Sequence, residues 1–150
     1  MGELAFVKGQ ALGNDYLVVE AADLPWPLTP ARIRVLCDRH RGIGSDGILL
    51  AETGGGEFRL RIFNPDGSEA EKSGNGLRIF AAYLHDRGLV GEEAFVVRLP
   101  AEEVELRVEE VREGGVLEVG VEMGRASFRG EDAGFGLEAG EVLGRELELA

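Results

Sequence analysis

The chain has 150 residues, a formal net charge of −12 and an apolar share of 44%. This length suits one ordinary domain or two small lobes, and the apolar share allows a sizeable core. The negative charge argues against partners such as nucleic acid or an anionic membrane surface, because both carry charge of the same sign. It leaves room for a small anionic ligand in a local pocket.

Cysteine content and hydropathy bear on the compartment. The single cysteine, Cys37, cannot form a disulfide within these residues, which favours an intracellular protein. Residues 1–20 lack the basic start and continuous apolar run of a signal peptide. No apolar stretch approaches the roughly 20 residues that a transmembrane helix needs. We therefore expect a cytoplasmic protein without a membrane partner.

The first half of the chain alternates strands with one helix. Residues 4–20 predict two strands joined by a glycine-containing turn. A helix follows, with Thr29 suited to the N-cap and Pro30 to the first helical position. Its apolar face carries Cys37, which we interpret as an inert core residue. Residues 46–52 and 57–64 then predict two further strands.

A second helix is predicted over about 74–86. Its apolar residues recur at the spacing of one buried helix face, namely Leu77, Phe80, Ala81 and Leu84. From residue 94 onward, three β-rich segments indicate antiparallel strands. Runs of strands with two helices, rather than strict strand–helix alternation, are typical of the α+β class.

The turn before the second helix is richer in polar side chains than a structural turn needs. Asn64 ends a predicted strand, and Ser73, Gly74 and Asn75 open the helix. Free amide groups and the macrodipole at a helix start stabilise an anion, and a carboxylate is the natural guest. Taken alone, the residues leave two interpretations open: an anion site, or an ordinary N-cap with Ser73 as the capping residue.

Other chemical motifs are weak. Residues 42–47, "GIGSDG", have the spacing of a dinucleotide-binding loop, but they follow a helix and precede a strand, which reverses the required context. No histidine or cysteine cluster has the spacing of metal ligands, so we expect no metal site.

Four segments together resemble the diaminopimelate epimerase family. "FNPDGSEAEKSGNGLR" is similar to the family signature, which reads Asn-x-Asp-Gly-Ser and then Cys-Gly-Asn-Gly-x-Arg. "FVKGQALGNDYLVVE", "CDRHRGIGSDGILL" and "VEMGRASF" are similar to other family motifs and occur in the family order. The four segments span most of residues 6–128.

This resemblance implies a fold. We expect an α+β, diaminopimelate-epimerase-like lobe, in which an antiparallel, barrel-like sheet surrounds a central helix. The first lobe would occupy residues 1–115, and residues 116–150 would begin a second, incomplete lobe.

The resemblance also implies an activity: interconversion of LL- and meso-diaminopimelate in lysine and cell-wall precursor biosynthesis. In the family each lobe supplies one cysteine, and no pyridoxal cofactor or metal takes part. One thiolate removes the α-proton and the other cysteine returns a proton on the opposite face. Asn14, Asn64, Gly74 and Asn75 match substrate-binding positions, and Ser73 occupies the catalytic cysteine position.

Two departures from the family pattern affect this expectation. Ser73 is an alcohol, which is a far weaker acid than a thiol. The family chain is also nearly twice as long, so its second cysteine would lie beyond Ala150. We therefore expect little epimerase activity from these 150 residues alone, and either a homodimer or a partner chain that carries the second lobe.

The alternatives are a catalytically inactive homologue that binds an amino-acid carboxylate, or a relative from the same superfamily. Such relatives include proline-type racemases, hydroxyproline epimerases and phenazine-type isomerases. The Gly-Asn-Asp opening and the Asp-Gly-Ser stretch favour diaminopimelate over these.

Overall fold

A computed structural model describes residues 2–113, 115 and 117–129. This part of the chain contains eight β-strands and two α-helices. The strands are β1 (Val7–Ala11), β2 (Asn14–Glu20), β3 (Ile48–Glu52), β4 (Phe58–Phe63), β5 (Glu69–Ala70), β6 (Phe95–Arg98), β7 (Glu103–Val111) and β8 (Leu117–Val121), and the helices are α1 (Pro30–Cys37) and α2 (Gly74–Asp86). Neither α1 nor α2 is long and apolar enough to cross a membrane.

All eight strands form one sheet, with β5 paired to β4 and the others in the order β1-β2-β3-β4-β6-β7-β8. Most neighbours are antiparallel, as the sequence predicts, but β2 and β3 are parallel, and so are β4 and β6. Parallel neighbours need a crossover connection, since a short turn cannot join them. Helix α1 lies in the connection from β2 to β3, and α2 lies in the connection from β4 to β6. The sheet is therefore mixed, and each helix belongs to one crossover.

The sheet curls around α2. This helix contacts β1 and β2 at one end of the sheet and β7 and β8 at the other. A flat sheet of this strand order would hold its ends roughly 29 Å apart, at about 4.8 Å per strand. A helix is only about 10–12 Å across, so it reaches both ends only if the sheet bends around it. The predicted barrel-like sheet around a central helix is confirmed.

The two faces of the sheet bury separate apolar clusters. Alternate residues of β2 point to opposite faces: Tyr16 and Val18 join the larger cluster with α2, whereas Leu17 and Val19 join the smaller one with α1. Strand β1 approaches α2 so closely that a Cβ atom at Gly9 would lie 2.7 Å from Ile79 Cγ2. The larger cluster is the core of the curled sheet, and α2 is its centre.

The sheet continues through β8, which pairs antiparallel with β7. The division into a first lobe over 1–115 and a second over 116–150 stays a prediction. Residues 130–150, where most of the second segment falls, lie outside the described residues.

Candidate functional site

Several polar residues that the sequence singles out lie together at one edge of the sheet, the edge formed by the ends of strands β2, β3 and β4. Leu17 on β2 pairs with Ile48, the first residue of β3, and Ile48 pairs with Phe63, the last residue of β4. The start of β2, the start of β3 and the end of β4 therefore meet at the same edge. Asn14 begins β2 and Asn64 follows β4, so the topology brings both asparagines to this edge.

Ser73 is the N-cap residue of α2. Its backbone is extended (φ −145°, ψ 115°), and its Oγ accepts a hydrogen bond from the Gly76 amide at 3.0 Å. Its carbonyl oxygen accepts the first helical hydrogen bond, from the Leu77 amide at 2.9 Å. The amides of Gly74 and Asn75 have no carbonyl partner within the helix, because a helix start leaves its first N–H groups unpaired. These groups and the half-buried Ser73 form a site suited to an anion.

Tyr16 on β2 places a second hydroxyl at this site. Its hydroxyl oxygen lies 3.3 Å from Ser73 Oγ, although its side chain is only 6% exposed. Gly47 makes room for the ring, since a Cβ atom there would lie 2.6 Å from Tyr16 Cε1 and would also collide with the carbonyl oxygen of Phe63. The sequence alone does not single out Tyr16, because it lies 57 positions before Ser73 in the chain. Tyr16 lies two positions after Asn14 on β2, and residues two apart on a strand point to the same face of the sheet. This spacing is the signal in the sequence that relates Tyr16 to the site.

Neighbouring groups hold both asparagine side chains. Asn14 Nδ2 donates to Asp46 Oδ2 at 2.9 Å, and the same oxygen accepts from the Asp15 amide at 3.0 Å. Asn64 Nδ2 donates to Ser68 Oγ at 3.0 Å. Each asparagine is thus oriented before any ligand arrives, which reduces the entropy lost on binding.

An ion-pair cluster lies on the α1 side of the same edge. Asp15 pairs with Arg39 at 2.5 Å and with Lys8 at 3.1 Å, and Arg39 also reaches Asp46 at 2.8 Å. The hydrogen bond from the Arg39 guanidinium holds the pKa of the Asp15 carboxyl well below its usual range. Asp46, which also orients Asn14, comes from the "GIGSDG" motif whose role the sequence left unassigned.

The segment after β8 passes beside the start of α2. Lys72 Nζ donates to the Met123 carbonyl oxygen at 3.3 Å and pairs with Glu102 at 2.8 Å. The Met123 sulfur would lie 3.6 Å from a Cβ atom at Gly74. Met123, which belongs to the predicted second lobe, therefore lies next to the start of α2.

Cys37 lies on the other face of the sheet, in the smaller cluster with α1. It is buried, and the Ser45 hydroxyl donates to its sulfur at 3.4 Å. Burial raises the pKa of this thiol, which disfavours the reactive thiolate. The prediction that Cys37 is a core residue is confirmed.

The structure thus places Ser73, Gly74 and Asn75 side by side at the start of α2, and sets Asn14 and Asn64 at the adjoining sheet edge. The roles of these residues, Ser73 in catalysis and the other four in substrate binding, stay predictions.

The fold, a sheet that curls around one helix, is shared with solved proteins of the epimerase class. A predicted epimerase from Pseudomonas aeruginosa has this fold, with a TM-score of 0.63 and 25% identity over 85% of this chain and 45% of that one. A hydroxyproline epimerase from Agrobacterium vitis, solved with bound trans-4-hydroxy-L-proline, shares the fold with a TM-score of 0.57 at 18% identity, over 79% of this chain and 41% of that one.

Sequence comparison gives the family. The family model described as diaminopimelate epimerase matches residues 6–129. Diaminopimelate epimerase 2 of Nostoc sp. is 52% identical over 131 residues, which cover 86% of this chain and 45% of that protein. The diaminopimelate epimerase of Methanothermobacter thermautotrophicus is 36% identical over 97% of this chain and 52% of that protein. The chain belongs to the diaminopimelate epimerase family, and it spans about half the length of these relatives.

Proposed function

We propose that these residues form one half of a cytoplasmic diaminopimelate epimerase, which interconverts the LL and meso forms of its substrate without a pyridoxal cofactor. The observation that carries this proposal is the buried helix α2 with its start at the polar sheet edge, in a chain of this family. Removal of an α-proton leaves negative charge beside the substrate carboxylate. Amides that already point at that carboxylate stabilise this charge in the transition state.

In this proposal each named residue has one task. The Gly74 and Asn75 amides bind the α-carboxylate at the positive end of the α2 dipole. Asn14 and Asn64, held by Asp46 and Ser68, bind the polar groups of the amino acid. Ser73 exchanges a proton with the α-carbon on the face that this lobe serves.

The other half of the protein would exchange the proton on the opposite face of the α-carbon. A change of configuration needs a proton to leave from one face and another to arrive on the opposite face. In the proposal that second group comes from the part of the longer relatives that the chain does not span, or from a partner chain that supplies it.

The test is exchange of the substrate α-hydrogen with deuterated water, followed by proton NMR on the protein at its full natural length with LL- or meso-diaminopimelate. We expect the α-proton signal to decay. Ser73→Ala should slow this decay by about 10²- to 10⁴-fold, the usual contribution of one general acid–base group. Thr29→Ala is the matched control, since it removes the hydroxyl N-cap of the other helix.

One observation favours a second function. An alcohol at the position of the catalytic thiol suits a homologue that binds an amino-acid carboxylate without turning it over. Calorimetric binding of diaminopimelate by the full-length protein, together with no exchange of the α-hydrogen, would contradict the epimerase and support this binding protein.

A further inference from the structure

The hydroxyls of Tyr16 and Ser73 form a pair inside the curled sheet. Their oxygens lie 3.3 Å apart, and Ser73 Oγ also accepts from the Gly76 amide at 3.0 Å. The pair carries two hydroxyl protons, and one hydrogen bond between the oxygens uses only one of them. Either oxygen can be the donor, and when Tyr16 donates, the Ser73 proton is left for a ligand at the start of α2.

The geometry of the pair is fixed by packing. Tyr16 is 6% exposed and belongs to the apolar cluster that surrounds α2. The absence of a side chain at Gly47 leaves the space that its ring occupies. Ser73 is held by the helix that it caps. Neither hydroxyl needs to move far to meet the other, which is the preorganisation that proton transfer requires.

The two kinds of hydroxyl differ as acids. An aliphatic alcohol is about as weak an acid as water, whereas phenols as a class are far stronger acids, with a pKa of about 10. A serine alone is therefore a poor partner for the α-proton of an amino acid. A serine in contact with a phenol can be resupplied with a proton by a group that holds the resulting negative charge far better.

We propose that Tyr16 is a positioning and proton-supplying residue that acts through Ser73, which in turn faces the substrate α-carbon. This inference rests on the proposed epimerase function. When the carbanion is protonated from this face, the Ser73 O–H bond breaks as the new C–H bond forms. The Tyr16 O–H bond breaks as its proton moves to Ser73 Oγ, and the negative charge moves from the α-carbon to the Tyr16 oxygen. Proton removal follows the same steps in reverse and starts from the Tyr16 phenolate: Ser73 gives its hydroxyl proton to the Tyr16 oxygen as its own oxygen takes the α-proton, and the negative charge returns to the substrate.

The first experiment measures α-hydrogen exchange of diaminopimelate in the full-length protein. Tyr16→Phe keeps the ring and removes only the hydroxyl, and we expect it to slow exchange at least about tenfold and to change the shape of the pH–rate profile. Since the two residues act as a unit, adding Tyr16→Phe to Ser73→Ala should slow exchange no further. Wild-type exchange and an unchanged pH profile in Tyr16→Phe would overturn the proposal.

Tyr83 provides the matched control. It is another buried tyrosine of the same cluster, 5% exposed, but its hydroxyl donates to Glu20 at 2.9 Å, away from Ser73. Tyr83→Phe should keep the wild-type rate and pH profile. A loss in Tyr83→Phe equal to that in Tyr16→Phe would show that removal of any buried hydroxyl disturbs the fold, and would also overturn the proposal.

The second experiment needs no substrate, so it separates this inference from the proposed function. Ser73→Cys introduces a thiol whose pKa is read from the pH dependence of its alkylation, with mass spectrometry identifying the modified site. Because a hydroxyl that donates to a thiolate stabilises it, the thiol pKa should rise by about one unit when Tyr16→Phe is added. Equal pKa values in the two variants would overturn the pairing. A protein that exchanges no diaminopimelate but shows this rise would refute the epimerase function and retain the pair.

Discussion

Helix α1 is capped by Thr29 on the exposed surface, whereas α2 is capped by Ser73 inside the curled sheet. Both caps are hydroxyls that accept from an amide three residues on, at 3.4 Å for Thr29 and 3.0 Å for Ser73. The two helices differ in burial: α1 has two buried residues and α2 has seven. Only Ser73 has a second hydroxyl beside it. A capping residue is therefore not a site by itself, and the surroundings of α2 are what make its start a candidate site.

The largest effect on stability should come from the buried face of α2. Phe80 is fully buried in the larger cluster. Phe80→Ala should lower the free energy of unfolding by about 3–5 kcal/mol, because it removes a large apolar side chain and leaves a cavity. Val35 on α1 is 60% exposed, and Val35→Ala should change stability by no more than about 0.5 kcal/mol.

Urea unfolding followed by circular dichroism measures both values. Similar losses in the two variants would mean that α2 is no more deeply packed than α1, and the contrast between the two helices would fail.

A smaller effect on stability is expected from the two caps. Ser73→Ala and Thr29→Ala each remove the oxygen that accepts a first-turn amide hydrogen bond. Loss of either cap should cost about 1 kcal/mol in the same urea experiment, and Ser73→Ala should cost somewhat more because it also removes a partner of the buried Tyr16 hydroxyl. The two variants would then differ modestly in stability and strongly in α-hydrogen exchange. If Ser73→Ala were far more destabilising than Thr29→Ala, lost activity could no longer be assigned to chemistry at Ser73.

The smallest effect concerns the ion pairs beyond the end of α1. Since Arg39 lowers the pKa of Asp15 in the folded state, the pair stabilises the fold above the unfolded value of about 3.9. Below that pH the unfolded chain binds the proton first, so this contribution is lost as the pH falls toward the folded-state pKa. The stability advantage of wild type over Asp15→Asn should therefore shrink between pH 7 and pH 3.

Unfolding free energies measured across this pH range test the expectation. If the stability advantage of wild type over Asp15→Asn instead grew as the pH fell, the lowered pKa of Asp15 in the folded state would be contradicted.

The sequence predicts those features that depend on neighbours along the chain. The start and end of α2 follow from the apolar stripe that includes Leu77 and Phe80 and from the polar turn before it, and the structure gives Gly74–Asp86. The Thr29 cap and Pro30 at the start of α1 are equally local and are also found. An apolar helix stripe or an N-cap depends only on residues close in sequence, so it can be predicted without knowing the rest of the fold.

Features that depend on distant pairing escape a single sequence. Two adjacent strands can pair in either direction, and nothing within β2 or β3 states that they run parallel. Strand β5 has only two residues, Glu69 and Ala70, and exists because β4 lies beside it. For the same reason the Arg39 ion pairs and the contact between Tyr16 and Ser73 could not be predicted.

The contact of α2 with both ends of the sheet has a consequence for the order of folding. Neighbours in sequence, such as β1 with β2 and β7 with β8, can pair early because the loops that they close are short. Helix α2 reaches its full set of contacts only after β1 and β8 have both curled toward it. We therefore expect the Ser73 site to be completed in the slowest folding phase. In pulse-labelling hydrogen exchange, the α2 amides would then gain protection after those of the two hairpins, and earlier protection of α2 would refute this order.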